Sequence, residues 1–85
     1  MSYRLIILPG PEKELKKLGQ KDFLRVDETI LQLANNPRPT GCKKLQGFTD
    51  TYRVRSGDYG ILYRIEDSEL VIEVIRIANG KDAYR

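Results

Sequence analysis

Two periodicities divide the chain. Residues 2–8 begin with alternation at Tyr3, Leu5 and Ile7 and read as a strand. Pro9-Gly10-Pro11 breaks that strand. Pro11 suits the first turn of a helix, where its missing N–H costs nothing. Glu12 and Glu14 favour the positive end of that helix, Leu15 and Leu18 give it a short apolar stripe, and Gly19 is its expected C-terminal cap. A second helix is predicted from Lys21 to Ala34, with Phe23, Val26, Ile30, Leu33 and Ala34 on its buried face. Asn35-Asn36-Pro37 ends it, and a loop with two prolines follows. From Asp50 the period changes to two. Tyr52 and Val54 alternate with Arg53 and Arg55. Ser56-Gly57-Asp58 reads as a tight hairpin turn. The next strand, Tyr59 to Ile65, sets Tyr59, Ile61, Tyr63 and Ile65 against Gly60, Leu62 and Arg64. After the polar turn Glu66 to Glu69, the stretch Leu70 to Ile77 is apolar enough on both faces for a central strand. The expected fold is α+β, in the order β-α-α-β-β-β. An N-terminal helical hairpin packs on one face of a small antiparallel sheet, and residues 1–85 form a single domain.

Composition narrows the chemistry. An 85-residue chain buries only a modest core. The single cysteine, Cys42, offers neither a disulfide nor a metal-binding quartet, which suits a reducing cytoplasm. No signal peptide is legible, and the apolar run from Leu5 to Leu8 is far too short to span a bilayer. The chain has no histidine, so any catalysis must run on Tyr, Arg, Lys, Asp or Glu. The formal charge of +3 is mild, but its distribution is uneven. Between Arg38 and Arg55 five bases (Arg38, Lys43, Lys44, Arg53, Arg55) face one acid, Asp50, while Glu12 to Glu28 balances five bases with five acids. The excess belongs to the sheet half, as a polyanion site requires and as an ordinary solvated face also allows.

Three stretches resemble the RelE/ParE superfamily of toxins from type II toxin–antitoxin pairs. They are Lys44-Leu45-Gln46-Gly47, then Tyr52-Arg53-Val54-Arg55, then Gly57-Asp58-Tyr59-Gly60-Ile61-Leu62-Tyr63-Arg64-Ile65. Asn36-Pro37-Arg38 fits the same pattern, as do Val74-Ile75-Arg76-Ile77 and Asp82-Ala83-Tyr84. No one motif is specific; their joint order over essentially the whole chain carries the resemblance. It implies the fold already read from the periodicities. It also implies a labile cognate antitoxin and either of two targets. The RelE branch cleaves messenger RNA in the ribosomal A site, and the ParE branch poisons DNA gyrase.

Cleavage of RNA by its own 2′-OH needs a base, an acid for the leaving 5′-oxygen, and positive charge on the phosphorane; metal is optional. The resemblance assigns the charge to Arg53 and Arg55, which period-2 geometry puts on one face; Arg76, a charge interrupting an apolar strand near them, is a further catalytic candidate that faces the same cleft or has an anionic partner. It assigns proton transfer or base stacking to Tyr84. As a base, Tyr84 would need neighbouring cations to stabilise its phenolate. Lys43, Lys44, Arg64, Lys81 and Arg85 are the expected RNA-binding residues, with no metal, no cofactor and no small-molecule ligand. Other readings stand beside these. Arg53 and Arg55 also fit a charged outer sheet face, Tyr84 a hydrophobic cover for a sheet edge, and Arg76 an internal ion pair with Glu73 or Asp82. Two family positions usually held by basic residues carry Gly60 and Asn79-Gly80 here. These departures favour the alternatives: a gyrase inhibitor that does no chemistry, or a degenerate toxin acting with its antitoxin in repression. The first expectation is a ribosome-dependent endoribonuclease. Its partners are the antitoxin, the ribosome and messenger RNA, with no membrane involved.

Overall fold

The computed structural model describes residues 2–79. Strand β1 (Arg4–Ile7) leads into helices α1 (Pro9–Lys17) and α2 (Gln20–Leu33). Four further strands follow: β2 (Lys43–Lys44), β3 (Thr51–Ser56), β4 (Tyr59–Glu66) and β5 (Val71–Asn79). They form one five-stranded sheet in the order β1-β5-β4-β3-β2. The predicted α+β order is present with two additions. A two-residue β2 forms one edge, and β1 lies parallel to β5, so the sheet is mixed. The helical hairpin explains the parallel pairing. It carries the chain away from β1 and back over one face, and the Tyr3 N–H donates to the Ala34 carbonyl at 2.7 Å.

Helix α1 starts at Pro9 rather than Pro11, because a first turn accommodates both prolines. Its first bond runs from the Glu12 N–H to the Leu8 carbonyl (3.0 Å). Gly19 does not close α1. It is extended (φ −62°, ψ 159°) and opens α2, its carbonyl accepting from the Phe23 N–H at 2.8 Å. Leu18 ends α1 instead.

The core lies between this hairpin and the sheet. Leu15, Val26, Ile30 and Leu33 meet Val54, Ile61, Tyr63, Ile65, Ile72, Val74 and Ile77. Those of β3 and β4 have the parity that alternation predicts, with Phe23 and Tyr52 packed at the margin. One irregularity interrupts it. In the β4–β5 ladder Leu62 pairs with Arg76 but Tyr63 pairs with Val74, so Ile75 has no opposite residue. This β-bulge leaves Ile75 and Arg76 both exposed before Ile77 returns to the core. A charged residue thus fits inside an apolar strand without burying its charge.

Candidate functional site

The helix-free face of the sheet is built by register. β2 pairs Lys43 with Arg53, β3 pairs Arg53 with Leu62, and β4 pairs Leu62 with Arg76. These four residues make one row across four strands, with three cations in it. The neighbouring row, toward the β3–β4 turn, is Arg55, Gly60 and Ala78. The neighbouring row on the other side is Thr51, Arg64 and Glu73. Successive same-face positions on a strand lie ~7 Å apart, and strands two removed lie ~10 Å apart. Long basic side chains at Arg53, Arg55 and Arg76 can therefore converge on one phosphate. Gly41, Lys43, Arg53 and Arg55 line a cleft of 280 Å³ on this face. Arg76 also borders a 590 Å³ groove between α1 and β5, with Leu18, Tyr59 and Ile75.

The candidates fall into distinct environments. Lys43, Arg55 and Arg76 are exposed and Arg53 is half-buried. Arg64 shares their face, but its Nε donates to Glu73 at 3.0 Å and its Nη1 lies 3.6 Å from Glu66. Its charge is already compensated, and Glu73 is engaged there rather than with Arg76. Lys44 separates from Lys43. Paired with Tyr52, it shares the parity of the opposite face, so the two adjacent lysines diverge. Both belong to a short edge strand rather than to a free turn. Lys81, Tyr84 and Arg85, and the glycine of the Asn79-Gly80 departure, lie outside the described residues. Gly60 is an ordinary strand residue with no positive φ.

Arg38, to which the motifs assign no role, is tied to both Asp67 and Tyr52. Its Nη2 donates to Asp67 Oδ2 (2.8 Å), its Nη1 to Asp67 Oδ1 (3.4 Å), and its Nε to the Tyr52 hydroxyl (3.2 Å). The guanidinium also sits 5.2 Å from the Tyr52 ring centroid. Asp67 accepts a further hydrogen bond from the Tyr3 hydroxyl. The Arg38 guanidinium, with help from Tyr3, holds the Asp67 carboxyl below its ordinary pKa. Donating its own hydrogen bond to Asp67 raises the Tyr3 hydroxyl. Burial raises the Tyr63 hydroxyl, which donates to the Pro37 carbonyl at 2.7 Å. No short-range spacing could have revealed the Arg38–Asp67 contact, because it joins residues 29 apart.

The fold and its basic face define a small toxin of the kind paired with an antitoxin. The profile of the ParE toxin of type II toxin–antitoxin systems, parDE, matches residues 5–84. The chain belongs to this family, within the RelE/ParE superfamily. It is 29% identical to toxin RelE of Mycobacterium tuberculosis over 84 residues, covering 98% of this chain and 87% of that protein. It is also similar to the archaeal RelE–RelB complex structure from Pyrococcus horikoshii. There the TM-score is 0.84 at 29% identity, over 94% of this chain and 97% of that one. The intact E. coli RelBE toxin–antitoxin complex gives a TM-score of 0.79 at 28% identity, over 92% and 96%. Among the described residues no helix is long and apolar enough to cross a membrane.

Proposed function

We propose that this toxin is a ribosome-dependent endoribonuclease that cuts messenger RNA in the A site. The observation that carries the reading is the row Lys43–Arg53–Leu62–Arg76 beside Arg55, which gathers cations from three strands on one open face. In the proposed reaction the 2′-oxygen bonds to the adjacent phosphorus as the P–O5′ bond breaks. The 2′-OH proton leaves to a base, and an acid protonates the 5′-oxygen. Arg53, Arg55 and Arg76 stabilise the charge that builds on the phosphorane. Lys43 grips a neighbouring phosphate and positions the strand. Tyr84 serves proton transfer or stacks on a base; Lys44, Lys81 and Arg85 extend the contact to the ribosome and message. Arg64, already paired with two carboxylates, contributes least.

The partner in this reading is a cognate antitoxin, since two of the similar structures are toxin–antitoxin complexes. It is expected to wrap the domain with an amphipathic segment and to be acidic where it crosses Arg53 and Arg55. The pair acts in the cytoplasm, without a cofactor or a small-molecule ligand.

Gly60 supports a second reading, inhibition of DNA gyrase without chemistry, because it leaves a customary arginine position of the RelE branch without a side chain. Induction of the chain alone in growing cells separates the two. Primer extension that finds breaks inside translated codons supports the ribonuclease; intact messenger with damaged DNA supports the gyrase inhibitor. A chain that is not toxic at all supports a role mainly in repression with the antitoxin.

A further inference from the structure

The basic cleft has two walls of unequal rigidity. Arg53 and Arg55 stand on β3, which pairs with β4 along its full length. Gly41 ends the loop between α2 and β2, and Lys43 opens β2 itself. Strand β2 has only two residues, held at the sheet edge by two Cα pairs. So short a strand does not fix its own place. The Leu45 N–H ties its far end to the Thr51 carbonyl at 2.9 Å, and the loop before it holds the near end.

That loop is pinned at definite points. The Pro37 carbonyl accepts from the buried Tyr63 hydroxyl, and the Pro39 carbonyl accepts from the Cys42 N–H at 3.0 Å. Gly41, at φ 92°, then turns the chain into β2. Arg38 lies between the two prolines. It is fixed by the two-pronged contact with Asp67 in the β4–β5 turn and by the bond and stack on Tyr52. The Tyr52 ring stacks in turn on Tyr63, with centroids 6.0 Å apart. Tyr52 adjoins Arg53 along β3, and its cross-strand partner Lys44 adjoins Lys43. Anchor and cleft thus occupy neighbouring residues on the same two strands.

We propose that Arg38 and Asp67 form a positioning clamp that holds Gly41 and Lys43 against Arg53 and Arg55, and so shapes the cleft to take an RNA phosphate. The proposal rests on the ribonuclease reading above. The clamp residues touch no substrate; they act through Lys43. Both are substantially exposed, with 43% and 57% of their side chains accessible, so the pair contributes little to global stability. What it supplies is direction. A planar, forked guanidinium can meet a carboxylate with two bonds and lie on a ring at once, which an ammonium cannot do.

The test compares Arg38→Ala, Arg38→Lys, Asp67→Asn and the swap of Arg38→Asp with Asp67→Arg. Each is assayed with the antitoxin-free chain on ribosome-bound messenger, with KM and kcat resolved and thermal unfolding measured alongside. Arg38→Ala and Asp67→Asn are expected to raise KM roughly tenfold, the order of one lost charge-assisted hydrogen bond, with kcat and unfolding temperature nearly unchanged. Arg38→Lys is expected to recover part of the loss, and the swap more than Arg38→Asp or Asp67→Arg assayed alone. Amide exchange at residues 41–44 is expected to quicken in Asp67→Asn; this near-isosteric change at an exposed site keeps the test open should Arg38→Ala fail to fold. Folded variants with wild-type KM and wild-type exchange overturn the clamp. So does a parallel fall of kcat and unfolding temperature, which marks a merely structural role. If the wild type itself leaves ribosome-bound messenger intact, the ribonuclease reading fails and the clamp proposal falls with it.

Discussion

Replacing Arg55 by alanine separates the chemistry of the basic face from its stability. Arg55 is exposed on β3, and its cross-strand partner is Gly60 on the helix-free face. The change removes an exposed side chain and leaves the hydrophobic core intact, so its cost in stability is small beside its cost in rate. Its effect on reaction is far larger. A unit charge about 4 Å from a developing oxyanion is worth ~4 kcal/mol at the effective dielectric of ~20 that suits a protein surface. Donors aimed at such charge contribute about 2.7–4 kcal/mol by mutation, on the order of a hundred- to a thousand-fold in rate. Arg55→Ala is therefore expected to lower the single-turnover rate of A-site cleavage by that factor, and Tyr84→Ala to abolish toxicity comparably. Lys43→Ala is expected to weaken binding more than rate, because phosphate contacts position rather than catalyse. The assay is primer extension on translated messenger at matched expression, with unfolding monitored by circular dichroism. Arg55→Ala at wild-type rate refutes the assignment. A variant that loses rate only in step with lost folding refutes the separation of chemistry from stability.

Three further outcomes are expected. Gly57→Ala should cost about 1–2 kcal/mol in urea unfolding, since Gly57 holds φ 60° and a Cβ there would lie 2.9 Å from the flexible Arg25 guanidinium; an unchanged midpoint would show that the turn tolerates the side chain. Asp67 has a depressed folded-state pKa, so the stability it supplies is present above the unfolded carboxylate pKa, about 3.9, and is lost as pH falls through the folded value; because the pair is exposed this contribution is small, so Asp67→Asn should flatten the acid limb only slightly in melts from pH 7 to pH 2, and a large loss of stability at pH 7 would contradict the account. Gly60→Arg should raise cleavage where the fold holds, because the strand backbone at Gly60 has no positive φ to forbid a side chain and its row already holds Arg55, although Gly60 is itself buried; lower cleavage with intact folding would show that the glycine is needed as it is.

What could be read from the chain depends on how local each feature is. The period of two fixed the faces of β3 and β4, because alternation is a property of single strands: Val54, Ile61 and Tyr63 are buried and Arg55 is exposed as expected. Helix α2 was equally legible from Val26, Ile30 and Leu33. The parallel pairing of β1 with β5 was not, because it joins residues more than sixty positions apart. Gly19 opens α2 rather than closing α1, since a glycine between two helices can do either and only the backbone angles decide. The bulge at Ile75 had one trace in the sequence, the charged Arg76 within an apolar strand, and it resolves where that arginine faces. Strand β2 was too short to signal itself, so the opposite parity of Lys43 and Lys44 went unseen. The Arg38–Asp67 pair had no local signature at all.

The most direct test of the central claim uses purified ribosomes programmed with a messenger of defined A-site codon, with analysis of the RNA ends after addition of the antitoxin-free chain. In-line attack by the 2′-OH predicts cleavage within the A-site codon only when ribosomes are present, leaving a 2′,3′-cyclic phosphate upstream and a 5′-hydroxyl downstream. Messenger that stays intact on the ribosome, or breaks that carry a 3′-hydroxyl and a 5′-phosphate, would contradict it.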